Sequence, residues 1–214
     1  PSKVDDYDIP EECLMPCICK AVDAPQTFFT QNVFTLLLNE DKAIYLFNGS
    51  TAPNNKSVLR YIHLGEESGI NKRYLTANRS PWYAIENRPP APIWVSVFNR
   101  SGLRFIRNEA NTYNLTTFHC VYPKVVDINV EVDVLFAYLI TDVAKEIFLD
   151  NSRQYGNGLI KFAPNDLNKG MVVDLTLLNT EENKFVKGVY AFIKDTQKEK
   201  EGIQLLNKFF SLRY

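Results

Sequence analysis

Pro92-Ile93-Trp94-Val95-Ser96-Val97-Phe98-Asn99-Arg100, entered from Pro89-Pro90-Ala91-Pro92, decides the fold class. The prolines enforce an extended approach, because the residue before a proline is pushed out of the helical region. Beyond them Ile93, Val95 and Val97 alternate with Trp94, Ser96 and Phe98, the two-residue period of a strand. Arg100-Ser101-Gly102 turns the chain and residues 103–107 return as a second strand. Residues 108–114 read as a polar loop, and 116–122 as a further strand ended by Pro123. The middle of the chain is therefore β-rich, with a hairpin region over about 92–122.

Toward the carboxyl end the period changes. Apolar positions 135, 136, 139, 140, 143 and 147 follow one helical face and predict the longest helix over about 131–149. Residues 151–158 break it, 158–162 read as a short strand, and Asn165-Asp166-Leu167 caps a turn or helix. A last helix is expected over about 182–200, with Gly202 separating an apolar tail. Toward the amino end, Leu14, Cys17, Ile18, Ala21 and Val22 fall at helical spacing, with Pro16 in the first turn. Residues 34–39 and 43–47 flank Glu40-Asp41-Lys42 and read as a second hairpin, over about 33–47. Val58, Leu59 and Ile62 predict a short helix before Gly65, and another runs from Gly69 toward Tyr74 and Leu75. With no internal repeat, this order of elements defines an α+β protein. One domain over 1–214 is expected, with a helical carboxy-terminal lobe over 125–214 the one subdivision the pattern allows.

At 214 residues, 45% of them apolar, the chain can bury a proper core. No run approaches the roughly 20 apolar residues that cross a bilayer, and no secretory signal opens the chain, so no membrane partner is expected. Cys13, Cys17, Cys19 and Cys120 are too few and too clustered for a secreted disulfide framework, so a cytoplasmic location is expected. Pro1 stands where an initiator Met would, and the chain reads as a fragment of a longer protein whose preceding domain holds the chemistry.

The net charge of −1 argues against indiscriminate coating of nucleic acid. The average hides a gradient, however. Residues 60–124 carry nine Lys and Arg against four Asp and Glu. Seven of the nine are Arg60, Arg73, Arg79, Arg88, Arg100, Arg104 and Arg107, and the planar guanidinium suits phosphates and guanine edges. Arg79, Arg100, Arg104 and Arg107 are therefore candidate DNA contacts, with Trp82 and Tyr83 as stacking or core aromatics. Asn108, Asn111 and Asn114 are candidates for base edges, although turn chemistry explains them equally well.

Catalytic and metal sites are not expected in this chain. Asp166 with Glu182 and Lys184 imitates the acidic pair plus lysine of metal-dependent nucleases, but Asp166 suits a cap and Glu182 the first turn of a helix. The spacing of Cys13, Cys17 and Cys19, with His119 and Cys120 far along, matches no common zinc knuckle. The phosphate-loop signature is also missing, since the one close glycine pair is Gly156-Asn157-Gly158. Ser80-Pro81-Trp82-Tyr83 is similar to the Pro-Pro-Tyr type of base-holding motif, yet Trp82 stands where that motif has proline.

Five phrases carry a resemblance. They are Tyr74-Leu75-Thr76-Ala77-Asn78-Arg79-Ser80-Pro81-Trp82-Tyr83, Ile93-Trp94-Val95 with Arg100, Ile106-Arg107-Asn108-Glu109-Ala110, Thr117-Phe118-His119-Cys120-Val121-Tyr122-Pro123, and the run from Arg153-Gln154-Tyr155-Gly156-Asn157-Gly158 through Pro164-Asn165-Asp166-Leu167. Through most of its length the chain resembles the target-recognition region that follows the catalytic domain in adenine-specific DNA methyltransferases of bacterial restriction-modification systems, fused endonuclease-methylases included. The resemblance implies sequence-specific recognition of double-stranded DNA for an amino-terminal catalytic domain of the same polypeptide. It also implies that S-adenosylmethionine binds that domain and that this chain alone methylates nothing. The competing readings are a protein-interaction domain docking a partner subunit, and a metal-dependent nuclease.

Overall fold

The computed structural model describes residues 1–99, 102–123, 131–149, 153–155, 158–170, 172–196 and 198–213. Arg100 and Ser101 of the expected turn, and residues 151, 152, 156 and 157 of the expected break, lie outside the described residues. The helices in chain order are α1 (Ser2–Asp6), α2 (Gln31–Asn39), α3 (Lys56–Glu67), α4 (Tyr74–Ala77), α5 (Val132–Leu139), α6 (Asp142–Leu149), α7 (Pro164–Lys169), α8 (Thr180–Thr196) and α9 (Glu199–Ser211). The strands are β1 (Leu14–Ile18), β2 (Phe28–Phe29), β3 (Tyr45–Phe47), β4 (Ile93–Ser96), β5 (Phe98–Asn99), β6 (Phe105–Asn108), β7 (Tyr113–Asn114), β8 (Phe118–Val121), β9 (Arg153–Tyr155) and β10 (Leu159–Lys161). The fold is α+β, and the chain divides into two compact units.

Unit 1 comprises Pro1–Ala24, Thr30–Pro90 and Ala110–Leu115. Its sheet has the order β3-β1-β7, antiparallel between β1 and β3 and parallel between β1 and β7. The helix expected around residues 14–22 is instead the central strand β1, followed by a 3-10 turn at Ala21–Asp23. Pro16 fits there because the ladder to β3 is carried by its neighbour: Cys17 N donates to Ile44 O at 2.7 Å, and β7 pairs only from Cys17 onward.

The hairpin expected over 33–47 is also corrected, because its first arm is α2 and β3 pairs with β1. Residues 34–38 suit either period, and the ends decide. Thr30 caps the start by accepting from Val33 N, and Asp41 takes a left-handed conformation at φ 54°. The amides of Asp41 and Lys42 then return to Leu38 O and Leu37 O, closing the helix in a Schellman motif. Asn55 caps α3 by accepting from Ser57 N and Val58 N, and α3 runs through Gly65 instead of stopping before it. Gly65 is needed there, since a Cβ would lie 2.5 Å from Cη2 of Trp82. Ile9, Cys13, Val58 and Ile62 form a small buried cluster, against which Tyr7, Phe47, Tyr61, Trp82 and Tyr83 pack.

Unit 2 comprises Pro25–Phe29, Ala91–Glu109 and Thr116–Tyr214. The expected strands of the 92–122 region form a four-stranded sheet of order β2-β6-β4-β8. Residues 113–114 of the expected loop are strand β7 of unit 1, and Asn108 ends β6. Ile93 lies opposite Arg107 and Val121, and Val95 opposite Phe105 and His119, so these side chains share one face. Ile93, Val95 and Phe105 are buried on that face with Val134 and Phe136 of α5, Val189 and Ile193 of α8, and Leu206 and Phe210 of α9. Trp94 points to the opposite face, is fully buried, and stacks on Phe118 with ring centroids 5.5 Å apart. Burial of each such large apolar side chain contributes about 1.5–3 kcal/mol before conformational entropy is set against it. A three-stranded sheet of order β5-β10-β9 completes the strands of this unit.

The single helix expected over 131–149 is two, α5 and α6, separated at Ile140-Thr141. No Gly or Pro marks the break. Thr141 makes it by accepting from Ala144 N, while its hydroxyl donates to Tyr138 O at 2.6 Å. The helix expected over 182–200 is likewise two, α8 and α9, and the tail beyond Gly202 is helical. Asn179 and Glu182 form a reciprocal capping box at the start of α8: Glu182 N donates to Asn179 Oδ1 at 3.0 Å, and Asn179 N to Glu182 Oε2 at 2.9 Å. Gly202 lets α9 pass close to α8, since a Cβ would lie 2.1 Å from Cγ1 of Ile193.

Candidate nucleic-acid interface

In unit 1 the candidates Arg79, Trp82 and Tyr83 come together. They share a concavity of about 420 Å3 with Tyr7, Phe47 and Tyr61, so one wall of the groove is aromatic. Trp82 is held by its contact with α3: its Nε1–H donates to Glu66 Oε1 at 3.1 Å, and its ring stands edge-on to Tyr83 at 5.6 Å. Arg79 is exposed, and its Nη1 donates to Ala84 O at 2.9 Å, which directs the guanidinium along the surface. Asn111 is exposed and left-handed at φ 52°, a conformation asparagine tolerates better than most residues. Asn114 is buried, and the Arg88 guanidinium donates to its carbonyl oxygen at 2.6 Å.

In unit 2 the remaining described candidates lie on β6 and just before it, and alternation separates them. Arg107 shares the face of Ile93 and Phe105, toward α5, where its Nε and Nη2 reach Asp133 Oδ1 at 3.1 and 3.0 Å. Its Nη1 donates to Pro92 O at 2.9 Å, so this guanidinium joins strand, approach loop and helix. Asn108 is buried, with Nδ2 donating to Ala91 O at 2.8 Å. Arg104 lies 6.0 Å over the Phe118 ring, and partial burial draws its pKa below the ordinary arginine value. Arg100 lies outside the described residues.

The decoys resolve into structural roles. Asp166 accepts from Ala163 N at 2.7 Å at the start of α7, and Glu182 belongs to the capping box of α8. His119 Nε2 lies 3.0 Å from Phe162 O. Among the described residues no three His, Cys, Asp or Glu side chains are grouped to hold a metal ion. No helix among them is long and apolar enough to cross a membrane. Cys17 and Cys19 interact at the end of β1. A hydrogen bond from the Cys17 thiol lowers the Cys19 pKa to about 7, against burial and Asp23, while Cys17 itself is pushed up.

One group of exposed side chains was not among the candidate contacts. Lys72, Arg73, Tyr74 and Leu75 are consecutive and exposed, on a short turn entered at Gly69, whose φ is 68°. The readable signal was a glycine followed by cations and large apolar residues with no polar alternation.

The chain belongs to the family described as the C-terminal domain of the Type II methyltransferase M.Eco57I, whose family model matches residues 1–208. It is 52% identical to the Type II methyltransferase M.AccI of Acinetobacter calcoaceticus, over all of this chain and 40% of that protein. It is 22% identical to the Type II methyltransferase M.XamI of Xanthomonas campestris pv. amaranthicola, over 80% of this chain and 32% of that protein. The chain thus spans well under half the length of either relative, and corresponds to the C-terminal part of a type II methyltransferase.

Proposed function

We propose that this chain is the DNA-recognition region of an adenine-specific type II DNA methyltransferase. Residues 1–214 as a whole take this role: they bind double-stranded DNA, select the recognition sequence, and help present an adenine to an amino-terminal catalytic domain of the same cytoplasmic polypeptide. S-adenosylmethionine belongs to that catalytic domain.

The observation that carries the reading is the family membership taken with Arg79, exposed beside the aromatic groove of Trp82 and Tyr83. An arginine so placed serves a phosphate or a guanine edge, and aromatic walls serve bases. Arg79, Trp82, Tyr83 and Asn111 act in unit 1, and Arg104 acts in unit 2. Arg100 remains a contact on its sequence position alone. Arg107, Asn108 and Asn114, whose polar atoms are engaged internally, shape the backbone around the contact.

The test uses the full-length protein, a duplex of mixed sequence and labelled S-adenosylmethionine. Duplex binding is expected to weaken steeply with salt, and nucleoside analysis of the product to give N6-methyladenine. A methylated cytosine would overturn the adenine assignment. Salt-insensitive binding would favour a protein-docking role instead.

A further inference from the structure

Tyr74 and Leu75 are 83% and 66% exposed, on the one-turn helix α4 between Lys72-Arg73 on one side and Arg79 on the other. Single exposed apolar residues are ordinary on protein surfaces. Two in succession, bracketed by cations, are not. Among the described residues Lys72, Arg73 and Arg79 form no ion pair with a carboxylate, whereas the nearby acids of α3 are engaged: Glu66 by Trp82 and His63, and Glu67 by His63.

The turn is also preformed. Ala77 N donates to Arg73 O at 2.8 Å, Arg79 N to Thr76 O at 3.0 Å, and Asn78 Nδ2 to Tyr74 O at 2.6 Å. The Thr76 hydroxyl donates to Ile70 O and Arg73 O, tying the exposed turn back to its approach. A surface already fixed in its binding shape loses less conformational entropy when it engages a partner.

The geometry points to a duplex-DNA contact over residues 72–79, in which Leu75 and Tyr74 enter a groove as an apolar wedge while Lys72, Arg73 and Arg79 hold the flanking phosphates. This rests on the DNA-recognition reading above and extends it from Arg79 to Lys72, Arg73, Tyr74 and Leu75. Charge complementarity selects the occupant: a polyanion matches three exposed cations, and an apolar wedge between base steps partly unstacks them and kinks the duplex.

Two variants of the full-length protein test it on a fluorescent duplex of mixed sequence. Each phosphate contact contributes about 0.9 to the slope of log affinity against log salt, so Lys72→Ala/Arg73→Ala is expected to lower that slope by about 1.8. Tyr74→Ser/Leu75→Ser is expected to keep the slope, lose about tenfold in affinity, and reduce the bend measured by energy transfer between the duplex ends. Both alter exposed side chains, and circular dichroism checks that the fold persists. An unchanged slope in the first variant, or unchanged affinity and bend in the second, overturns the wedge while salt-dependent binding by the unaltered protein keeps the DNA reading. If the unaltered protein binds without salt dependence, the DNA reading itself fails. Weaker thermal stability of the full-length protein with unchanged DNA binding would mark a protein-covered surface and also overturn the proposal.

Discussion

In unit 2, Arg107 and Lys194 are paired beside the core, whereas unit 1 leaves Lys72, Arg73 and Arg79 facing out. In unit 2, Arg107 meets Asp133, and Glu109 receives both Lys194 Nζ at 2.9 Å and the Tyr190 hydroxyl at 2.8 Å, beside a core that runs from the sheet through α5, α8 and α9. In unit 1 the buried cluster is small, and Lys72, Arg73 and Arg79 lie exposed on a hydrogen-bonded turn. The same residue type therefore does different work by position. A guanidinium on the core face of a strand braces the fold, and one on an exposed turn is available to a ligand.

The largest effect should come from the core of unit 2. Phe136→Ala removes a fully buried ring and is expected to destabilise by about 3–5 kcal/mol in denaturant unfolding, whereas Leu75→Ala in unit 1 should stay within about 0.5 kcal/mol. Equal losses would erase the contrast. Gly202→Ala places a methyl against Ile193 and should cost about 1–3 kcal/mol. If close packing is the cause, Ile193→Ala will cost less in that background than in the native one, which a double-mutant cycle reads directly.

The sharpest comparison lies between two arginines. Arg107→Ala removes the link from β6 to Asp133, while Pro92 O keeps its bond from Asn108 N, and is expected to cost about 1 kcal/mol of stability. Arg79→Ala should leave stability nearly unchanged and weaken duplex binding; the reverse pattern would exchange their roles. The smallest effect concerns reactivity. With its pKa lowered by the neighbouring Cys17 thiol, Cys19 should be alkylated at lower pH than an ordinary thiol. Cys17→Ala removes the donor and should move that alkylation to higher pH, as mass spectrometry of the alkylated peptide can follow.

The β-rich middle was legible because the prolines fix where β4 begins and β-branched and aromatic residues follow them; the strand is buried on both faces. Capping was legible too at Asp166, where a short carboxylate stands three residues beyond the cap position. The misreadings share a cause, which is that short apolar runs fit both periods. Residues 34–38 became helix through Thr30 and Asp41, and residues 14–18 became strand through pairing with β3 and β7. Such pairings depend on segments far away in the chain. Thr141 ends α5 and starts α6 without any breaker residue, and Gly202 reads as punctuation although close helix contact is what requires it. In the candidate site, alternation put Arg107 on the side of Phe105, but the sequence reading took it for a DNA contact, and its register opposite Ile93 came only with strand pairing. That Asp133 would meet it was not legible, because α5 comes from a separate stretch of chain.

The central claim, that sequence choice resides in these 214 residues, has a direct test. The matching part of M.XamI, only 22% identical, is exchanged for this chain in the full-length protein, and the methylated sequences are read by sequencing DNA modified in cells. The account predicts that the methylated sequence follows the exchanged region; a sequence that stays with the catalytic part would contradict it.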